Sequence, residues 1–292
     1  MHGEDLTAKI EKFILSTGYP FEQRVAHLLR EHDWVVFSSV EYIVPPDQQR
    51  ELDILCYKII NRRRIELRIS CKQSSDKHWI FFTEKNRYLK SGSALKFTPV
   101  QIENYTTYRT LPEKLNSLLL YQYDRHVTNF TAFSEKKQHE ARLIIKDGLL
   151  SVINSVYHRI FPAELIYDER GTVYFFITLF NGLMFESYYD PESDNNIVKD
   201  IEYTQWKTEY KSNSNFEEIL KYDGTYVPYH EVLRNFSEHF TVEVMKWSFF
   251  ESYLNHIETI FTELEEETIS IFGKPYEDEY FPNRIIGKPL TR

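Results

Sequence analysis

The stretch ELRISCKQSS, residues 66 to 75, alternates like a β-strand, and one face carries Glu66, Arg68, Ser70 and Lys72. A lysine at the end of an apolar-flanked strand needs anionic company. The preceding strand-like run, RELDILC, offers it. Glu51 and Asp53 share one face there, with Leu52, Ile54 and Cys56 on the other. A short Asn61-Arg62-Arg63 turn makes the two runs an antiparallel pair, so Asp53 and Lys72 fall on one face near the same end of the sheet. Glu22, one residue beyond the apolar stripe position Phe21 of the preceding helix, leans over that end. A carboxylate beside a lysine, with a second carboxylate near, is the apparatus of metal-assisted phosphodiester hydrolysis. Hard oxygen ligands hold Mg²⁺ or Mn²⁺ with several waters left on it. The ion polarises the phosphate and acidifies a water, while the ammonium orients or stabilises what attacks. An Asp–Lys ion pair that only ties two strand ends fits the same spacing, and spacing leaves both readings open.

The elements that must position these groups are legible on either side. Residues 17–32 read as a helix with Phe21, Val25, Leu28 and Leu29 on its apolar stripe. Strands follow at 34–44, 51–60 and 64–72, then an apolar run at 78–82. Residues 83–133 carry the weakest pattern; Thr98-Pro99 reads there as a helix N-cap and first-turn proline. A long helix spans 134–160, and Asn181-Gly182 marks a two-residue hairpin between apolar runs. The strand FTVEVMKW leads to Ser248-Phe-Phe-Glu251, a capping box opening a helix with Phe250, Leu254, Ile257, Phe261 and Leu264 inward. One elaborated domain over 1–267, with a tail at 268–292, is the simplest division.

The 292 residues suffice for a sizeable core, and 16% aromatic content builds it on Phe and Tyr. Cys56 and Cys71 are too few for a disulfide framework or a zinc site, and they read as reduced, buried thiols. The N-terminal residues lack a signal-peptide pattern, and no stretch approaches the roughly 20 apolar residues of a membrane span; a cytoplasmic protein is expected. The net charge of −9 is unevenly spread. Residues 58–96 hold eleven Lys or Arg against three acids, and 184–280 hold seven against 22. A basic segment in an acidic chain fits a polyanion partner at one place, unless the two halves pair with each other. A phosphate contact at Arg62-Arg63-Arg64 is the second reading of that run, after a solvated turn, and neutral substitutions there should weaken such binding without unfolding. Ser74-x-x-Lys77 matches an acylation motif only by spacing, and no nucleotide-cradling glycine loop is present.

Residues 17–82, TGYPFEQRVAHLL … RELDILC … LRISCKQSSDKHWIFF, resemble the PD-(D/E)XK nuclease superfamily, the restriction-endonuclease-like fold. The resemblance covers about a quarter of the chain. It implies an α/β core of a helix, a three-stranded antiparallel unit, a helix and further strands, here with a C-terminal strand and helix elaboration. Residue by residue, Glu22 matches the helix acid, Asp53 the first metal ligand, Lys72 the motif lysine and Gln73 an accessory polar position. The resemblance implies catalysis by Asp53, Lys72, Glu22 and Gln73, with Mg²⁺ or Mn²⁺ on Asp53 and Glu22. DNA is the implied partner, with no membrane and with self-association left open. Ser70 departs from the pattern, standing where the family places its second acid. Glu66 shares its face but lies roughly 13 Å from that position, four residues along a strand, and Glu51 is the other nearby acid. The expectation is a metal-dependent nuclease acting on DNA. The alternative is a catalytically degenerate nuclease fold that binds nucleic acid or a protein. A third reading puts the working surface on the acidic C-terminal half. Restoring a carboxylate with Ser70→Glu should raise any cleavage.

Overall fold

Pro20 in the first turn and the spacing of Phe21, Val25, Ala26 and Leu29 make residues Tyr19–Glu31 an amphipathic helix whose apolar face is buried. In the computed structural model this is α2, after α1 (His2–Ser16). The structure describes residues 2–44, 48–85, 97–102, 105–110, 125–134, 141–160, 172–209, 218–220, 226–228 and 239–264. After α2 come β1 (Val35–Val44), β2 (Gln48–Ile60), β3 (Arg63–Gln73) and β4 (His78–Lys85), then β5 (Phe97–Ile102), β6 (Tyr105–Thr110) and β7 (Arg125–Phe133). Helix α3 (Ala141–Ile160) precedes β8 (Thr172–Asn181), β9 (Met184–Asp190), β10 (Asn195–Asp200) and β11 (Tyr203–Glu209). The short pair β12 (Glu218–Leu220) and β13 (Tyr226–Pro228) stands apart, and β14 (His239–Lys246) runs into α4 (Trp247–Glu263).

One mixed sheet organises the described residues, in the order β1-β2-β3-β8-β14-β11-β7-β4-β9-β10, with β5 and β6 attached at β8. Strands β1, β2 and β3 are antiparallel, and β8 then lies parallel to β3 from Arg64↔Thr172 to Gln73↔Asn181. A parallel neighbour requires a crossover, and the segment between β3 and β8 includes α3. The α2 and α4 helices bury Phe21, Val25, Phe250, Leu254 and Phe261 on one face of β2, β3 and β8. Helix α3 buries Ile145, Leu149, Val152 and Ile153 on the other, where Trp79 and Phe81 of β4 and Phe130 of β7 join the same core. Strands from both halves of the long sheet therefore pack in one core with α3, and Trp79 stacks on Phe180 at 4.1 Å between ring centroids. No described helix is long and apolar enough to cross a membrane.

Four local expectations are corrected. Asn181-Gly182 turns the chain, but β8 and β9 do not pair with each other. Both edges of β8 are taken by β3 and β14, so β9 joins β4 and β10. Thr98 and Pro99 lie in β5, not at a helix start. The missing proline N–H is tolerated there because β5 meets β8 only at Val100↔Val173. Helix α4 is capped at Lys246 without a side-chain bond, so the Ser248–Glu251 capping box does not form, although its inward residues are buried as expected. Leu52 shares the α3-side core with Leu55 instead of the face of Ile54 and Cys56. The β1–β2 ladder skips Ser39 and Asp53, Ser39 has a φ of 54°, and this irregularity breaks the two-residue alternation. The expected start of the long helix at 134–140 falls mostly outside the described residues, as does the tail at 268–292.

Gly182 is required by close approach. A Cβ there would lie 2.5 Å from the Phe180 ring and 2.7 Å from the Ser74 carbonyl oxygen, both held by packing. Gly182→Ala is expected to lower unfolding free energy by about 1–3 kcal/mol, the usual cost of overpacking. Chemical denaturation at constant m-value measures it, and an unchanged midpoint would mean that the turn yields freely.

Candidate active site

The β2–β3 ladder ends at Ile54↔Ile69, so Asp53 and Ser70 stand where the two strands part. The Asp53 carboxylate fills the gap. Its Oδ2 accepts hydrogen bonds from the Cys71 backbone N–H and from the Ser70 hydroxyl at 3.2 Å, and lies 3.9 Å from Lys72 Nζ. All three contacts use one oxygen, which leaves Oδ1 to another ligand. Asp53 and Lys72 are mostly buried, at 16% and 22% exposure.

Lys72 reaches this point from the α3-facing side of β3. Its stem runs under Gly148 of α3, where an added Cβ would meet Lys72 Cγ, Lys72 Cε and Thr178 Cγ2 at 3.3 Å each. A glycine inside the IIKDGLLS helix pattern costs helix propensity, and this seat explains its presence. Glu22 arrives from the opposite layer, in the first turn of α2, where the helix dipole favours negative charge. Burial pushes the Glu22 carboxyl up to about 7 from an ordinary 4.5, and the charges of Asp53 and Glu51 add to the rise while Lys72 opposes it. Burial also raises Asp53, against the lowering effects of Lys72, the Cys71 N–H and the Ser70 hydroxyl. Glu22, Glu51 and Asp53 therefore share one electrostatic neighbourhood, which a cation would relieve.

Whether these residues fit a divalent ion turns on the donor set. Among the described residues no three His, Cys, Asp or Glu side chains stand close enough to hold a metal together. Magnesium does not demand that; it commonly takes one or two carboxylates and keeps waters or substrate phosphate for the rest. The Oδ1 of Asp53, which has no hydrogen-bond partner among the described residues, and the raised carboxyl of Glu22 fit that mode. Ser70 is 1% exposed and gives its hydroxyl to Asp53, so it supports the ligand from behind. A carboxylate at this buried position, glutamate or the shorter aspartate, would stand beside Asp53.

Gln73, at the exposed end of β3, accepts from Asn181 Nδ2 at 3.1 Å and stays outside the acid cluster. Glu66 is also elsewhere. It is buried beneath α3 and takes bonds from Arg68 at 2.8 Å and Arg64 at 2.9 Å, while Arg68 donates onward to the Ser155 carbonyl at 2.6 Å. Lys58, Arg63, Arg64 and Arg68 of the basic segment are thus committed internally. Arg63 is buried, Arg64 lies over the Tyr57 ring, and Lys58 pairs with Glu258 of α4 at 3.2 Å. Neutral substitutions at Arg63 and Arg64 would disturb the fold, contrary to the expectation of a free phosphate-binding turn. Ser74 closes the turn after β3 by bonding Asp76 and the Lys77 N–H. Cys56 and Cys71 are free and buried, with thiols pushed up by burial. Sequence reasoning missed Gly148, and also Lys146 and Asp147 beside it. The glycine within a helical pattern was the available signal.

Compared with known proteins, the chain matches no family model, no curated protein and no solved structure.

The pH response follows from the raised acids. Between about pH 4.5 and 7 the folded protein holds a proton on Glu22 that the unfolded chain has lost, so the Glu22 contribution to stability falls as pH rises through that window. Thermal melting across this range should show a downward slope with pH that flattens in Glu22→Gln. Added Mg²⁺ should restore stability near pH 7 and above by binding the native state alone. Identical slopes in the two proteins would mean that Glu22 is not charge-stressed.

Proposed function

We propose that this protein is a divalent-metal-dependent nuclease-like protein acting on DNA phosphodiesters. The observation that carries this reading is the Asp53 carboxylate at the parting of β2 and β3. One oxygen is tied to Ser70, Cys71 and Lys72, the other has no hydrogen-bond partner among the described residues, and the Asp53 charge raises Glu22. The element order adds support. Helix α2, the antiparallel strands β1 to β3, and a later helix α3 before a strand parallel to the third agree with the core that the PD-(D/E)XK resemblance implies, although β4 to β7 stand between β3 and α3. The site lies at the carboxyl ends of the parallel strands β3 and β8, where α/β sheets place their ligands.

In this reading Asp53 and Glu22 hold Mg²⁺ or Mn²⁺. The bound ion supplies polarisation of the phosphate and an acidified water. Lys72, held between Asp53 and the Gly148 seat, presents its ammonium to the scissile phosphate or to the attacking water. Ser70 and the Cys71 N–H fix the Asp53 carboxylate through Oδ2, which leaves Oδ1 for the ion. Gln73 closes the strand end through Asn181.

A second reading is favoured by Ser70, since its buried hydroxyl replaces a carboxylate that would strengthen ion binding. In that case the same fold binds nucleic acid or a protein without cutting. Cleavage of plasmid and single-stranded substrates with Mg²⁺ or Mn²⁺ separates the two. Wild-type cleavage that is lost in Asp53→Ala and Lys72→Ala supports the working enzyme. Cleavage appearing only in Ser70→Asp supports the silenced one, and activity that survives Asp53→Ala places the chemistry elsewhere.

A further inference from the structure

Beside Lys72 the surface opens into a depression of about 420 Å³, lined by Lys72, Ile144, Lys146, Asp147 and Leu150. Its chemistry is mixed in a specific way. Two lysines, Lys72 and Lys146, line one hollow. Ile144 is 38% exposed, although Ile145 and Leu149 on the same helix are fully buried, and with the half-buried Leu150 it gives the hollow an apolar side. Asp147 leans toward Arg50 of β2 at 3.8 Å, which draws its carboxylate toward a cation outside the lysine pair.

A small inorganic anion would use the lysines and leave the apolar side wet. An alkyl chain would use Ile144 and Leu150 and leave the ammonium groups unmatched. A nucleotide matches both, with phosphate oxygens for the lysines and a base face for Ile144 and Leu150. The volume falls within the range of small-ligand sites, which suits one nucleotide and not a stacked duplex. Within a duplex both faces of a base are covered by its neighbours, and exposing them costs a few kcal/mol. Single strands offer those faces at far lower cost, and stacking on side chains then adds roughly 1–3 kcal/mol per base.

We infer that this depression takes one unstacked nucleotide next to the scissile phosphate, so that the substrate is single-stranded or flap-bearing DNA. Lys146 is then a positioning residue that holds the neighbouring phosphate. The inference rests on the nuclease reading for the identity of the adjacent site, but its own observations are the two lysines lining one depression and the exposed Ile144.

The test is fluorescence anisotropy with a labelled oligonucleotide, single-stranded or annealed to its complement, at one fixed salt concentration. Asp53→Asn protein is used so that nothing is cut. Single strands are expected to bind about tenfold or more tightly than the duplex, as one stacked base allows. Ile144→Ser and Lys146→Gln should each reduce that preference several-fold without changing the melting temperature, since both side chains are exposed. Equal affinity for the two forms, or single-strand binding indifferent to both substitutions, would overturn the inference. Duplex cleavage by wild type that needs Asp53 but ignores Ile144 would overturn it while leaving the nuclease reading intact. Absence of both DNA binding and cleavage would overturn both together.

Discussion

Asp53→Ala is expected to lower Mg²⁺-dependent DNA cleavage by about 10²–10³-fold, with Lys72→Ala close behind. A metal-held phosphate supplies several kcal/mol of transition-state stabilisation, and each 1.36 kcal/mol is a factor of ten in rate. Asp53 is the acid best placed to hold such an ion, because Oδ2 is fixed by two hydrogen bonds while Oδ1 has no hydrogen-bond partner among the described residues. Asp53→Asn separates chemistry from folding. Its amide oxygen still accepts from Cys71 and Ser70, so the strand ends stay together, while the charge that attracts the cation is gone. Alanine also strands the Cys71 N–H at a cost of about 1–3 kcal/mol if no water replaces the partner. Equal loss of cleavage in both variants, with the melting temperature kept in Asp53→Asn, is the expected pattern. Cleavage retained in Asp53→Asn would remove this carboxylate from the mechanism.

Arg68→Ala should be the most destabilising of the substitutions considered, by about 3–5 kcal/mol, because it breaks a buried ion pair from one side. Arg68 and Glu66 are 2% and 1% exposed. Arg68 joins three elements: it bonds Glu66 on its own strand, reaches the Ser155 carbonyl of α3, and lies 5.7 Å from the Tyr174 ring of β8. Its loss takes one arginine from the Glu66 carboxylate and removes the guanidinium that reaches the Ser155 carbonyl of α3. Since α3 carries Gly148 over Lys72, loosening it should also disturb the lysine. Denaturant unfolding gives the first effect. A midpoint close to that of wild type would mean that water enters beneath α3 and replaces the guanidinium.

The parts of this fold that were legible in the sequence are those fixed by near-neighbour physics. Helix α2 and strands β1 to β3 were readable because Phe21, Val25 and Leu29, and then Leu67, Ile69 and Cys71, keep strict helical or strand periods. Juxtaposition of Asp53 and Lys72 followed from the short turn between their strands. The fate of the Asn181-Gly182 turn was not readable, because it depends on β3 and β14 occupying both edges of β8, partners more than sixty residues away in either direction. Thr98-Pro99 misled for a similar reason, since long-range pairing outweighs a local cap signal. Within the basic run, charge counting could not separate Arg68, consumed by Glu66, from Lys72, which faces the candidate site. Only the register of β3 under α3 makes that distinction.

The central claim is that Asp53 and Glu22 together hold a divalent cation at the end of β2 and β3. Crystals soaked in Mn²⁺ and measured for anomalous scattering address it most directly. One peak is expected beside Asp53 Oδ1, within reach of Glu22 directly or through a water, and it should disappear in Asp53→Asn. A peak elsewhere in the molecule, or an Asp53 neighbourhood without manganese at saturating concentration and pH above 7, would contradict it.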